Sequence, residues 1–97
     1  MTSLARPTGV EHLGGRTLKV TFDDGLVREL DFTGTLEGIL ATIDSDSVFP
    51  LAAIDPAART VTWPNGIDLD PDVLHGDNTP ASTPAPTLIR QYQLANT

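Results

Sequence analysis

The stretch LKVTFDDGLVRELDF, residues 18–32, decides the fold of this 97-residue chain. Apolar and polar residues alternate on both sides of Asp23, Asp24 and Gly25, which is the pattern of a half-buried β-hairpin. Because strand side chains point alternately to opposite faces, we expect one face of this hairpin to line the core and the other to meet water.

The length of the connecting turn decides which residues share a face. A two-residue turn at Asp24 and Gly25 sets Phe22 opposite Val27 and mixes apolar and charged side chains on one face. A three-residue loop with Gly25 in the left-handed conformation sets Phe22 opposite Leu26 and keeps one face apolar, so we predict this loop. That face then holds Leu18, Val20, Phe22, Leu26, Leu30 and Phe32, with Arg28 as the exception, while Lys19, Thr21, Glu29 and Asp31 face water.

Patterns on either side of the hairpin predict a first strand and a helix. Residues 10–13 form a short strand that Gly14 and Gly15 end. The stretch TGTLEGILATIDSDSVF, residues 33–49, predicts one short amphipathic helix packed on the sheet, capped by Thr33 or Thr35. Its apolar residues at helical spacing are Leu36, Ile39, Leu40 and Ile43.

A second hairpin is predicted in LAAIDPAARTVTW, residues 51–63, with its turn at Asp55 and Pro56. Val61 and Trp63 point inward under this interpretation, and Thr60 and Thr62 point outward. The pattern leaves the register of this hairpin open. Trp63 is expected in the core because tryptophan buries a large area and needs only one N–H partner.

The stretch WPNGIDLDPDVLHG, residues 63–76, raises the question of a metal site. Asp68, Asp70 and Asp72 have the spacing of the first ligands of an EF-hand, but Val73 stands where glycine is needed and Thr79 where a bidentate glutamate is needed. The alternative is a turn followed by a helix start. Asp70 is then the N-cap, Pro71 the first helical residue and Asp72 a partner of the helix dipole, and we favour this interpretation.

Composition limits the kinds of function that fit the chain. Thirteen acidic against six basic residues give a net charge of −7, which disfavours nucleic acid. The charge fits a basic protein partner, and the alternative is that it only keeps a small domain soluble. The absence of cysteine excludes thiolate chemistry and cysteine-based metal sites, and His12 and His75 are isolated in sequence. No membrane span or signal peptide is recognisable, so a cytoplasmic location is the expectation.

The predicted fold class is α+β, with a small antiparallel sheet from two β-hairpins, one short helix packed on it and a Pro-rich C-terminal extension. We divide the chain into an N-terminal tail at residues 1–7, a domain at residues 8–76 and a C-terminal part at residues 77–97. The C-terminal part combines a Pro-rich linker with LIRQYQLANT, a segment compatible with one or two helical turns.

Two motifs resemble a family of small bacterial proteins known as domain of unknown function (DUF) 2442. The hairpin matches L-x-V-x-F-x-D-G-x-x-R-x-F-D, and residues 63–75 match W-P-N-G-x-D-L-x-P-D-x-L-Y, with Leu30 for the aromatic and His75 for the tyrosine. The matching residues are Leu18, Val20, Phe22, Asp24, Gly25, Arg28 and Asp31 in the first motif, and Trp63, Pro64, Asn65, Gly66, Asp68, Leu69, Pro71, Asp72 and Leu74 in the second.

The resemblance implies a small α+β domain without established catalytic residues or cofactors. Members are often encoded beside small toxin-like proteins, which suggests antitoxin or regulatory roles. The first hypothesis is therefore a non-enzymatic interaction module, in one form the antitoxin half of a pair with a small basic toxin-like partner. The alternatives are a ligand-binding or divalent-metal-binding domain that uses Asp68, Asp70 and Asp72, or an accessory domain without a dedicated partner. The oligomeric state is left open.

Overall fold

The computed structural model describes residues 5–76 and 85–94. It contains six strands, two short 3₁₀ helices and one short α-helix, and the α+β fold class is confirmed for this part of the chain. The strands are β1 (Pro7–Gly14), β2 (Thr17–Phe22), β3 (Leu26–Asp31), β4 (Ala53–Asp55), β5 (Thr60–Thr62) and β6 (Thr87–Gln93). The helices are the 3₁₀ helices Gly38–Ile43 and Phe49–Leu51 and the α-helix α1 (Pro71–His75).

The predicted register of the first hairpin is confirmed. Leu18 pairs with Leu30 and Val20 with Arg28, and Gly25 adopts a φ of 88° in the three-residue loop. This register places Leu18, Val20, Phe22 and Leu30 on one face, where each is at most 2% exposed. The first strand is longer than predicted, because β1 pairs with β2 from Pro7 to Gly14.

The expectation of a single sheet from two hairpins is corrected. β1, β2, β3 and β6 form one antiparallel sheet in that order, while β4 and β5 form a separate two-stranded sheet. The second hairpin pairs Ala53 with Thr62 and Asp55 with Thr60. Thr60 was expected to face water but is only 4% exposed, because its hydroxyl donates to the Leu69 carbonyl oxygen at 2.7 Å.

The helix predicted from residues 33–49 is shorter and of a different type. The 3₁₀ helix begins at Gly38, whose φ of 62° interrupts a continuous α-helix from Thr33 or Thr35. Thr35 does not cap it and instead donates to the Phe32 carbonyl oxygen at 2.8 Å. With three residues per turn, Leu40 and Ile43 share a face that packs on the core, and Ile39 is 73% exposed, contrary to the helical spacing.

The core sits between the four-stranded sheet and the segment from Leu36 to Leu74, and Phe49 lies at its centre. Phe49 is 0% exposed, and its ring centroid is 5.8 Å from those of both Phe32 and Trp63. The carbonyl oxygen of Phe49 accepts the indole N–H of Trp63 at 3.0 Å. The prediction that Trp63 belongs to the core is confirmed, since it is 3% exposed.

The second motif begins with a tight turn. The Gly66 N–H donates to the Trp63 carbonyl oxygen at 3.0 Å, and Gly66 has a φ of 89°. The chain then runs back beside β5, since the Leu69 N–H donates to the Val61 carbonyl oxygen at 3.0 Å. As predicted, α1 starts with Asp70 as N-cap, whose carboxylate accepts the Asp72 N–H at 2.9 Å.

The C-terminal segment is a strand and not the helical turns considered for it. β6 pairs antiparallel with β3 from Leu26–Gln93 to Asp31–Thr87, with a bulge at Ile89. The hydrogen-bonding groups along the outer edge of β3 explain this outcome, because ladder bonds with an adjacent strand outweigh a weak local helical pattern. No helix in the described residues is long and apolar enough to cross a membrane.

Replacing Phe49 by alanine is expected to lower the free energy of unfolding by about 3–5 kcal/mol, because it removes the ring at the centre of the core. The matched control is Leu51→Ala in the same 3₁₀ helix, where the side chain is 53% exposed. This control is expected to cost less than about 1 kcal/mol. Urea unfolding followed by the fluorescence of Trp63, the only tryptophan, measures both. Equal losses in the two variants would contradict the position of Phe49.

Candidate functional site at the hairpin turn

The turn between β2 and β3 is the most connected polar feature of the described residues. Its own shape depends on two hydrogen bonds: the Gly25 N–H donates to the Phe22 carbonyl oxygen at 3.0 Å, and the Leu26 N–H donates to the Asp24 carboxylate at 3.0 Å. The φ of 88° at Gly25 is one that side-chain-bearing residues rarely adopt. Glycine at position 25 and a short hydrogen-bond-accepting side chain at position 24 therefore suit this turn.

Three other parts of the chain form hydrogen bonds with this turn. At the start of β1, Arg6 exchanges two hydrogen bonds with Asp23, at 3.0 and 3.1 Å. From α1, His75 Nε2 lies 2.8 Å from Asp24 Oδ2. At the end of β6, the Gln93 side chain donates to the Asp24 carbonyl oxygen at 2.6 Å, and the Leu94 N–H donates to the Gly25 carbonyl oxygen at 2.8 Å.

The Asp24–His75 pair connects α1 to the hairpin turn, and its imidazole is largely covered. Its Nε2 atom faces the Asp24 carboxylate, while Nδ1 is buried from solvent. The imidazole side chain is 13% exposed, and its ring stands edge-on to Phe22 with centroids 4.8 Å apart. A general base needs one ring nitrogen within reach of a substrate proton. Here one nitrogen is engaged and the other is covered.

Arg28 joins the same region from the core face of β3. Its Nη1 atom donates to the Leu74 carbonyl oxygen at 2.6 Å, and Nε donates to the Gln91 side chain at 2.9 Å. A Cβ placed on Gly76 would lie 3.0 Å from Arg28 Nη1. Arg28 therefore links the C-terminal end of α1 to β6. In the sequence, Arg28 is the one charged residue among the apolar residues on this face of the hairpin, and that exception is the signal of a polar contact there.

The environment of Asp24 shifts its acidity. Burial, the largest single effect, raises the pKa of this carboxyl. The hydrogen bond from the Leu26 N–H and the contact with His75 lower it, and together they outweigh burial, so the pKa lies below its ordinary value. The pKa of Asp31 is also lowered, because the hydroxyl and N–H of Thr33 donate to its carboxylate. Both carboxylates therefore favour the charged form in the folded protein.

The three aspartates with EF-hand spacing have separate local positions. Asp68 forms an isolated bridge with Thr62, and Asp70 caps α1. Asp72 lies in the first turn of α1, with its Oδ1 atom buried and 3.9 Å from Arg6 Nη1. Within residues 5–76 and 85–94, no group of three or more histidine, cysteine, aspartate or glutamate side chains is placed to share a metal ion.

The remaining motif residues contribute to turns and packing. Asn65 accepts the Ile67 N–H at 3.2 Å and so stabilises the turn that follows Trp63 and Pro64. Pro71 is the first residue of α1, Leu69 packs against the core, and Leu74 is 1% exposed. The two motifs meet where Asp24 contacts His75, 51 residues apart in sequence, and no local pattern predicted this contact.

An open groove runs beside the turn. Its lining consists of Thr8, Thr21, Phe22, Asp23, Asp24, Gly25, Gln93 and Leu94. Phe22 is the only aromatic residue in this lining and is itself 2% exposed, so Leu94 is the one exposed large apolar side chain of the groove and polar groups make up the larger part of its surface. Most small-molecule sites are enclosed and largely apolar, and this groove lacks both properties.

These features define a small α+β domain in which polar contacts from β1, α1 and β6 meet at one hairpin turn. The chain belongs to the family described as "Protein of unknown function (DUF2442)", which matches residues 7–77, as the two sequence motifs predicted. The match ends before β6, so in this chain the fourth strand of the sheet lies beyond the matched region. No match was found among curated proteins or solved structures.

Replacing Asp24 by asparagine is expected to lower the melting temperature at pH 7, and this loss should shrink as the pH falls below about 4. The sign follows from the lowered pKa in the folded state. The carboxylate stabilises the fold above its unfolded pKa, and the stabilisation is lost as the pH falls through the folded pKa. Because this carboxylate is 43% exposed, solvent screening limits the difference to about 1 kcal/mol or less.

Thermal unfolding followed by circular dichroism between pH 7 and pH 3 measures this effect. The matched control is Asp68→Asn, which removes the same charge away from the turn. A pH-independent difference between Asp24→Asn and the unsubstituted protein would show that the carboxylate charge does not stabilise the turn.

Proposed function

We propose that this protein is a non-enzymatic, cytoplasmic interaction module that binds a small basic protein through the outer edge of β6. The observation that carries the proposal is the exposed edge strand. β6 is the last strand of the four-stranded sheet, and its outer edge pairs with no other strand among the described residues. Edge strands of this kind pair readily with an extended segment of a partner.

The side chains of the edge strand support binding. Leu88 and Ile89 in β6 and Leu94 directly after it are 44%, 53% and 47% exposed, which is a high exposure for large apolar residues close together in sequence. The opposite edge of the sheet is different, since β1 lies next to β4 and β5. The β6 edge is therefore the better-suited docking surface.

The charge of the protein favours a basic partner. The chain carries 13 acidic and six basic residues, and in the described part four of the basic side chains, those of Arg6, Arg16, Lys19 and Arg90, already lie within 4 Å of a carboxylate. Asp24 and Asp31 lie on or beside β3, roughly two strand spacings or about 10 Å from a strand added to β6. This separation is close to the screening length at about 0.1 M salt, so the carboxylates attract a basic segment.

The antitoxin role implied by the family resemblance is one form of this proposal. An acidic module that covers the active surface of a small basic toxin needs a docking edge and complementary charge, and it needs no reactive side chain. The buried Nδ1 of His75 and the local role of Asp70 at the helix start support a binding function over a catalytic or metal-dependent one.

The proposal is tested by affinity purification of the tagged full chain from its native host, with Ile89→Asp as the edge variant. Ile89 sits at the bulge, so its replacement leaves the flanking pairs Glu29–Arg90 and Leu30–Leu88 in place. The matched control is Ile39→Asp, at an apolar residue that is 73% exposed and far from β6 in sequence.

We expect the unsubstituted chain and Ile39→Asp to retain the same small basic protein in stoichiometric amounts. Ile89→Asp should reduce its retention at least about tenfold, the factor that corresponds to 1.4 kcal/mol. Raising the salt concentration should weaken the complex, because part of the attraction is electrostatic. Retention of no stoichiometric partner, or equal retention by the two variants, would overturn the proposal.

A further inference from the structure

β6 is attached to the sheet without entering the core. The buried apolar cluster is formed by residues between Ala5 and Leu74, and within the described residues β6 adds none to it. Six of the seven residues of β6 are exposed, and Tyr92 is intermediate. β6 is therefore held by its ladder with β3, by polar side chains and by the pairing of Tyr92 with Val27, which is 2% exposed, and its removal from β3 would leave the main apolar cluster in place.

The contacts that hold β6 are specific to β3 and its turn. Gln91 accepts from Arg28 at 2.9 Å, Gln93 donates to the Asp24 carbonyl oxygen at 2.6 Å, and Arg90 lies 3.8 Å from Glu29. Arg90 is the only charged residue of β6, while Glu29 and Asp31 are acidic positions of β3. The register, the hydrogen bonds and the charges of β6 therefore complement those of β3. They would do so equally if β6 came from a second molecule.

Ten residues connect the C-cap of α1 to β6. These residues, 77–86, have the sequence DNTPASTPAP, and the upper limit for the reach of any chain is about 3.3–3.6 Å per residue. Gly76 lies beside the Arg28 side chain, and Thr87 pairs with Asp31, three residues further along β3. That separation along the strand is only about 10 Å. The number of residues between Gly76 and Thr87 is therefore greater than pairing within one molecule requires, which leaves chain length for pairing with β3 of a second molecule.

We propose that β6 is an exchangeable strand that docks on β3 of a second copy of this chain, which gives a reciprocal dimer in equilibrium with the closed monomer. Both forms make the same ladder and the same side-chain bonds, so exchange costs little beyond association itself. The outer edge of β6 stays exposed in both forms. The exchange is accordingly independent of the basic partner proposed above.

Disulfide trapping in full-length chains tests the exchange. The chain has no cysteine, and Glu29 and Arg90 are directly paired across β3 and β6, within the Cα separation that a disulfide spans. Glu29→Cys and Arg90→Cys are prepared in separate chains, mixed, refolded together from denaturant and oxidised. The matched control mixes Glu29→Cys with Thr87→Cys, because Thr87 pairs with Asp31 and lies too far from residue 29 for a disulfide.

Exchange predicts a covalent heterodimer linked between positions 29 and 90, several-fold above the control mixture and rising with protein concentration. Non-reducing electrophoresis and mass spectrometry of the linked peptide identify it. Sedimentation equilibrium of the unsubstituted chain from micromolar to millimolar concentration provides a readout without substitutions, and a monomer–dimer equilibrium is expected. A heterodimer yield equal to the control, or a strictly monomeric chain over that range, would overturn the exchange and leave the test at Ile89 unaffected.

Discussion

The turn at Asp23, Asp24 and Gly25 is the constraint on which the rest of the structure depends. It sets the register of the first hairpin, and through that register it selects the face of the sheet that lines the core. It also holds the start of β1, the end of α1 and the end of β6 through hydrogen bonds with its backbone and with the Asp23 and Asp24 carboxylates. One short turn therefore couples local chain geometry to the positions of three distant segments.

The second motif completes this arrangement from the other end of the domain. Its turn at Gly66 returns the chain beside β5, and Asp70 and Pro71 start α1 at a defined position. The helix is only five residues long, so its position depends on tertiary contacts more than on helix propensity. Leu74 supplies the buried contact and His75 the polar one, and together they orient the helix against the hairpin.

Much of this fold was predictable where a residue has one locally favoured role. The alternation around Gly25 predicted the hairpin register, and Asp70 before Pro71 predicted the helix start. The prediction failed where tertiary contacts decide the outcome. Gly38 interrupts an otherwise helical spacing, Thr60 is buried by a bond to Leu69, and β6 forms because β3 offers a ladder partner.

The candidate site was less predictable than the fold, for the same reason. The motif aspartates that raised the question of a metal site lie in a strand bridge and in the first turn of α1. The contact that joins the two motifs connects residues far apart in sequence. What the structure adds is a surface: an exposed edge strand beyond the family-matched residues, on a strongly acidic chain. This surface, and not a pocket of reactive groups, supports the functional proposals.

The central claim is that Asp24 anchors both α1 and β6 through the hairpin turn. Amide hydrogen exchange in Asp24→Ala tests it most directly, at the amide of Gly76, the C-cap of α1, and at the Leu94 amide after β6. The account predicts that both amides exchange faster by similar factors, while the Trp63 amide, which donates to Ile67, keeps its protection. Faster exchange confined to Leu26, the direct backbone partner of the Asp24 carboxylate, would contradict it.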